Sequence, residues 1–99
     1  MMNKLAFEGL VINTDEKLCY VDGTALKLTK SEYNVLNFLL SNRNKIFSRE
    51  ELIEAAWAEP VTVRAVDTAM SRLRKKLGKY GKHIVTRLGF GYGFKEKPE

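Results

Sequence analysis

Thiol and imidazole are nearly absent from this 99-residue chain, which holds one cysteine, Cys19, and one histidine, His83. A lone cysteine builds neither a disulfide framework nor a cysteine-based zinc site within one chain. It fits a reducing compartment, so a cytoplasmic location is expected. One Cys and one His allow a single nucleophile pair, and Cys19 lies in Leu18-Cys-Tyr-Val21, which reads as a strand with a small packed side chain. No apolar run approaches the ~20 residues of a membrane-spanning helix, and no signal-peptide core follows Met1. Gly89-Phe-Gly-Tyr-Gly93 has closely spaced glycines but lacks the G-x-G-x-x-G pattern and following helix of a phosphate cradle. The acids fall mostly in turns and helix first turns, where Glu32, Glu50 and Glu51 serve caps and helix dipoles. No carboxylate pair, nucleophile with its base or metal-ligand cluster emerges, so no enzyme, metal or cofactor is expected.

Acids are scarcest where cations are densest. Residues 64–87 carry eight Lys or Arg and one acid, Asp67, whereas residues 1–63 carry seven Lys or Arg and nine acids. The net charge of +5 is thus concentrated in the back half, the pattern of a polyanion-binding face. On a helix over residues 64–77, Val66, Met70, Leu73 and Leu77 make one narrow apolar stripe. The opposite face is Arg64, Thr68, Ser71, Arg72 and Lys75, with Ala65, Arg74 and Lys76 towards the flanks. Arg can bond a guanine edge, Thr and Ala methyls can meet a thymine methyl, and Lys and Arg can hold phosphates. The thin stripe, without Trp or Phe, argues against a bilayer surface. A solvated basic face, or a protein-interaction module that binds an acidic partner, stays open on these residues alone.

Residues 4–28 read as short strands. Leu5/Phe7, Leu10/Ile12, Leu18/Tyr20 and Leu26/Leu28 supply the alternation, Asn13-Thr-Asp15 and Asp22-Gly23 supply turns, and an antiparallel meander follows. Thr29-Lys-Ser-Glu32 has capping-box spacing and opens a helix with Tyr33, Val35, Leu36, Leu39 and Leu40 on a wide apolar face. Ser41-Asn42-Arg-Asn44 ends it. Ser48-Arg-Glu-Glu51 repeats the box ahead of Leu52, Ile53, Ala56 and Trp57, with Pro60 at or beyond that helix's end. Thr62 caps the basic helix, and Gly78 and Gly81 close it. Ile84-Val-Thr-Arg-Leu88 and Tyr92-Gly-Phe94 flank Gly89-Phe-Gly91 as a hairpin. The expected core combines the basic helix's stripe with Leu36, Leu40, Leu52 and Ile53. Nothing divides residues 1–99, and no heptad run suggests a dimer, so one monomeric α+β domain is expected.

Four segments carry a resemblance: Leu28-Thr-Lys-Ser-Glu32; Phe47-Ser-Arg-Glu-Glu-Leu52 with Trp57; Val66-Asp67 followed by Ser71-Arg-Leu-Arg-Lys75; and Gly89-Phe-Gly-Tyr92. Their order and spacing resemble the winged-helix effector domain of bacterial OmpR/PhoB-type response regulators over almost the whole chain. The resemblance implies sequence-specific binding of double-stranded DNA and transcription regulation. Helix 64–77 is then the recognition helix in the major groove, and hairpin 84–94 the wing along the minor groove or its backbone. It implies base reading by Arg72; the methyls of Thr68 and Ala65 on the same face make these the next candidates. Arg64, Arg74, Trp57, Thr86 and Tyr92 are the implied backbone contacts, to which Lys75, Lys76 and Arg87 add cations.

Relatives often carry an arginine just before the first wing glycine. Leu88 stands there, and Arg87 one residue earlier need not substitute, because adjacent strand residues face opposite ways. The resemblance further implies two copies on tandem half-sites about one helical turn apart, a receiver domain phosphorylated by a sensor kinase, and contact with RNA polymerase through loop 58–63, which looks short. The chain has no room for an acidic phosphoacceptor pocket. Either it is an excised C-terminal domain, to which the Met1-Met2 start points, or it is a free-standing binder.

Overall fold

The computed structural model describes residues 3–98. Among these residues, β1 (Lys4–Phe7), β2 (Leu10–Asn13), β3 (Leu18–Val21) and β4 (Thr24–Leu26) form an antiparallel meander in sequence order. Alternation gives the sheet two faces. The cross-strand row Leu5, Ile12, Cys19 and Leu26 turns to the core, and the row Ala6, Val11, Tyr20 and Ala25 turns away. In β3 Cys19 is buried, as its reading as a small packed side chain required, while Leu18 of the Leu18/Tyr20 pair is exposed. Register opposite Ile12 decides this. Burial pushes the Cys19 thiol up to about 11, so it behaves as a small hydrophobe.

Three helices follow: α1 (Lys30–Ser41), α2 (Arg49–Ala56) and α3 (Val63–Leu77). A helix start leaves amides without partners, and short polar side chains satisfy them. Both expected capping boxes are closed. Thr29 Oγ1 accepts from the Glu32 amide at 3.2 Å while the Glu32 carboxylate accepts from the Thr29 amide at 2.9 Å. Ser48 and Glu51 do the same at 3.1 and 2.8 Å. Thr62 caps α3 through the Ala65 amide at 3.3 Å, and Gly78 ends it at φ +58°. That left-handed backbone suits glycine.

The stripe Val66, Met70, Leu73 and Leu77 is fully buried against Leu36, Leu39, Leu40 and Leu52. Ile53 departs from its expected core place and packs only at the margin, because Leu52 and Ala56, one turn apart, take the inward side of α2. Tyr80, Ile84, Tyr92 and Phe94 complete the core from the C-terminal side. A 3-10 segment (Gly78–His83) leads from α3 into β5 (Ile84–Arg87), which pairs with β6 (Gly91–Phe94). The hairpin loop falls one residue earlier than the glycine pattern indicated. Arg87 pairs with Gly91, so the three loop residues are Leu88, Gly89 and Phe90. Gly89 takes the positive φ the turn needs, +83°. Among the described residues no helix is long and apolar enough to cross a membrane.

Candidate nucleic-acid interface

With one side of α3 sealed in the core, its remaining residues divide by direction. Arg64, Thr68, Ser71, Arg72 and Lys75 are exposed, as the spacing required. Ala65, Thr68 and Arg72, roughly one turn apart each, share a shallow depression with Trp57 and the start of α1. The three expected base-reading residues are therefore neighbours, and Trp57, the half-buried C-terminal cap of α2, flanks them. On the other side of the helix, Arg74 and Lys75 face Thr86 and Arg87 of β5 across a cleft of about 530 Å³. Lys82 of the 3-10 segment also lines this cleft. Sequence reasoning passed over Lys82, whose only signal was its place in the basic half.

The wing is fastened at its base. Phe47 and Tyr92 exchange backbone hydrogen bonds at 2.8 and 3.0 Å, which adds the segment before α2 to the hairpin. Gly91 has no room for a side chain, since a Cβ there would lie 1.9 Å from the Phe47 carbonyl oxygen. Arg74 Nε donates to the Ile84 carbonyl at 2.9 Å, and its terminal nitrogen donates to Thr86 Oγ1. The same guanidinium lies 5.7 Å from the centre of the Tyr92 ring. Arg74 and Thr86, both expected to touch DNA backbone, are thus joined to each other in a strut between α3 and β5.

Tyr92 is 6% exposed, and its hydroxyl donates to Asp67 Oδ1 at 2.6 Å. Arg49 Nε donates to the same oxygen at 2.8 Å. These two donors, Tyr92 first, hold the Asp67 carboxyl below its ordinary value of 3.8 against the opposing effect of desolvation. One carboxylate thereby ties the start of α2, the inner flank of α3 and the wing together. Arg49 also offsets, internally, the one negative charge of the basic segment. Neither Arg49 nor Asp67 was singled out as a site residue from the sequence.

Lys76, expected beside the phosphate-facing cations, pairs instead with Glu32 Oε1 at 2.7 Å. Glu32 is 2% exposed. Burial opposes its charge, but the Lys76 ammonium and the Thr29 cap together outweigh that and hold its carboxyl low. Lys76 therefore braces α3 against α1. Loop 58–62 is exposed and runs from the Trp57 cap to the Thr62 cap.

Comparison with known proteins points one way. The family model described as "Transcriptional regulatory protein, C terminal" matches residues 23–94. The chain is 40% identical over 98 residues to the transcriptional regulatory protein ResD of Bacillus subtilis. That match covers 93% of this chain and 41% of ResD, so the chain spans about two fifths of such a relative's length. Among solved structures, the response regulator DrrB of Thermotoga maritima, an OmpR/PhoB homologue, superposes with TM-score 0.84 at 33% identity. The superposition covers 94% of this chain and 44% of DrrB. The DNA-binding domain of RstA from Klebsiella pneumoniae, in complex with the RstA box, gives TM-score 0.83 at 26% identity, covering 95% of this chain and 98% of that one. The four-stranded meander, three helices and C-terminal hairpin are the winged-helix architecture these proteins share. The chain belongs to the family of C-terminal effector domains of OmpR/PhoB-type transcriptional response regulators.

Proposed function

We propose that this chain is the output domain of a two-component response regulator and binds duplex DNA sequence-specifically, with α3 in the major groove and the hairpin β5–β6 as the wing. One observation carries the reading: the exposed face of α3 presents Arg64, Thr68, Arg72 and Lys75 with no acid among them, while the nearby Asp67 is already matched by Arg49 and Tyr92. Arg72 reads a base edge, and Thr68 and Ala65 add contacts through their methyls. Arg64, Lys75 and Arg87 supply cations to phosphates, with Lys82 at the edge of the same cleft. Trp57 packs beside the backbone. Arg74, Thr86 and Tyr92 set the angle between wing and helix, and any phosphate they meet is met through that strut. Lys76 acts mainly by holding α3 on α1.

One recognition helix reads only a few base pairs, too little to find a site in a genome. Two copies on tandem half-sites, recruited by a receiver domain under a sensor kinase, supply the remainder. The domain is monomeric in isolation and works in the cytoplasm, with the segment 58–63 the surface offered to RNA polymerase. The test is selection of duplexes from a random pool, followed by affinity measured against salt. Enrichment of a common sequence is expected, with log K falling steeply and linearly in log salt. Equal affinity for all duplexes, or competition by an acidic polymer without bases as effective as by the selected duplex, would assign the basic face to an acidic protein partner instead.

A further inference from the structure

The wing tip is the most exposed apolar feature among the described residues. Leu88 is 90% exposed and Phe90 72%, whereas the next large hydrophobics, Val63 and Leu18, stand at 40% and 39%. Water is a poor solvent for both side chains, yet none of the described residues covers them. The hairpin beneath them is stiff. Ladder pairs join Thr86 to Tyr92 and Arg87 to Gly91, Phe47 pairs with Tyr92, and Arg74 holds the Ile84 carbonyl. The tip is therefore a fixed apolar knob on a rigid arm.

Its surroundings are charged. Arg49, Glu50 and Arg87 line the dent under the tip, and the cleft with Arg74, Lys75 and Lys82 opens on the adjoining side of β5. A partner that fits needs anionic rails around an apolar surface of one or two side chains' width. The minor groove of duplex DNA offers this: phosphates along the rims, and deoxyribose C–H groups along the walls. A bilayer also has anionic headgroups over apolar chains, but a two-residue knob is too small an anchor for it.

Resting on the DNA-binding reading above, we propose that Leu88 and Phe90 seat against the sugar walls of the minor groove next to the α3 footprint. Neither side chain has a hydrogen-bonding group, so the contact cannot accept from the G·C amino group that distinguishes base pairs there. Nor does it gain from the deepened negative potential of a narrow A·T groove, which favours an inserted cation. The wing of this chain thus adds affinity without adding a base preference, and specificity rests on α3.

The test uses a duplex enriched from the random pool and the double variant Leu88→Ser/Phe90→Ser. Both positions are exposed, so its circular dichroism melt should match the wild type. Hydroxyl radicals attack deoxyribose hydrogens in the minor groove, and dimethyl sulfate attacks guanine N7 in the major groove, so one footprint reports each contact. The variant should lose the patch of sugar protection beside the helix site and keep the N7 protection. Its affinity should fall about tenfold, the scale of two partly buried apolar side chains, and by the same factor at every salt concentration, since no counterion is released. Leu88→Arg should gain a preference for A·T pairs under the wing and a steeper salt slope. Unchanged sugar protection in the double variant overturns the proposal, whether affinity is kept, so that the tip stands clear of DNA, or lost, so that it works through protein. Failure of any duplex to be enriched from the pool overturns the DNA-binding reading itself, separately from the wing.

Discussion

Tyr92→Phe isolates one bond in the joint between recognition helix and wing. The substitution removes only the hydroxyl, leaving the ring against the core and the Arg74 guanidinium over its face. What is lost is a 2.6 Å hydrogen bond to Asp67. Such a bond to a charged acceptor contributes about 1.5–3 kcal/mol when shielded. The Asp67 side chain is 40% exposed, however, so water takes up part of the vacated acceptor, and Arg49 keeps the rest. The expected cost is therefore about 1–2 kcal/mol, or a fall of about 5–10 °C in Tm for a domain this size. The pH dependence follows from the direction of the shift. Asp67 titrates lower in the folded chain than its ordinary 3.8, so its contribution is fully present above that value and is lost as pH falls through the lowered folded value. The gap between wild type and Tyr92→Phe, read by denaturant melts, should be full at neutral pH and close in the acid window below 3.8. A variant as stable as wild type at neutral pH, or a gap that persists undiminished after Asp67 is protonated, would refute the reasoning.

Other perturbations separate roles that look alike in the sequence. Leu73→Ala, at a fully buried position, should cost about 2–5 kcal/mol and abolish binding through unfolding; an unchanged thermal melt would mean that the faces of α3 are misassigned. Arg72→Ala should relax preference at one base pair at a cost of ~1–3 kcal/mol on the selected duplex, with little loss on random DNA. Lys75→Ala should flatten the salt slope by about one and leave the melt alone. Its neighbour Lys76→Ala should do the reverse, lowering stability by about 1–2 kcal/mol because Glu32 loses its partner in a buried setting, with little change in salt slope. Matching effects of the two lysine variants on both measurements would erase the distinction drawn from the Glu32 pair.

What was legible in the chain was local. Thr29, Ser48 and Thr62 cap helices because a hydroxyl three residues from an orphan amide reaches it whatever the rest of the fold does. The stripe of α3 was legible for the same reason, since a fixed period assigns its faces before any partner is known. Errors began where a choice depended on a neighbour. Ile53 sits at the core margin because Leu52 and Ala56 take the inward side of α2, and the wing loop starts at Leu88 because Arg87 pairs with Gly91.

The joints were least legible, being made by residues far apart in sequence: Glu32 with Lys76, Asp67 with Arg49 and with Tyr92, Arg74 with Ile84 and Thr86. Two of them engage a cation, Lys76 or Arg74, that composition alone assigns to the binding face. Of the cations between residues 64 and 87, Lys76 and Lys79 are matched by Glu32 and Asp22, and Arg74 is held between α3 and the wing, so the chain's basic count overstates the charge it presents. The salt slope of binding should accordingly follow Arg64, Arg72, Lys75 and the cations of the wing cleft. The geometry that puts them on one face comes from Arg74 and Lys76, which hold α3 to the wing and to α1.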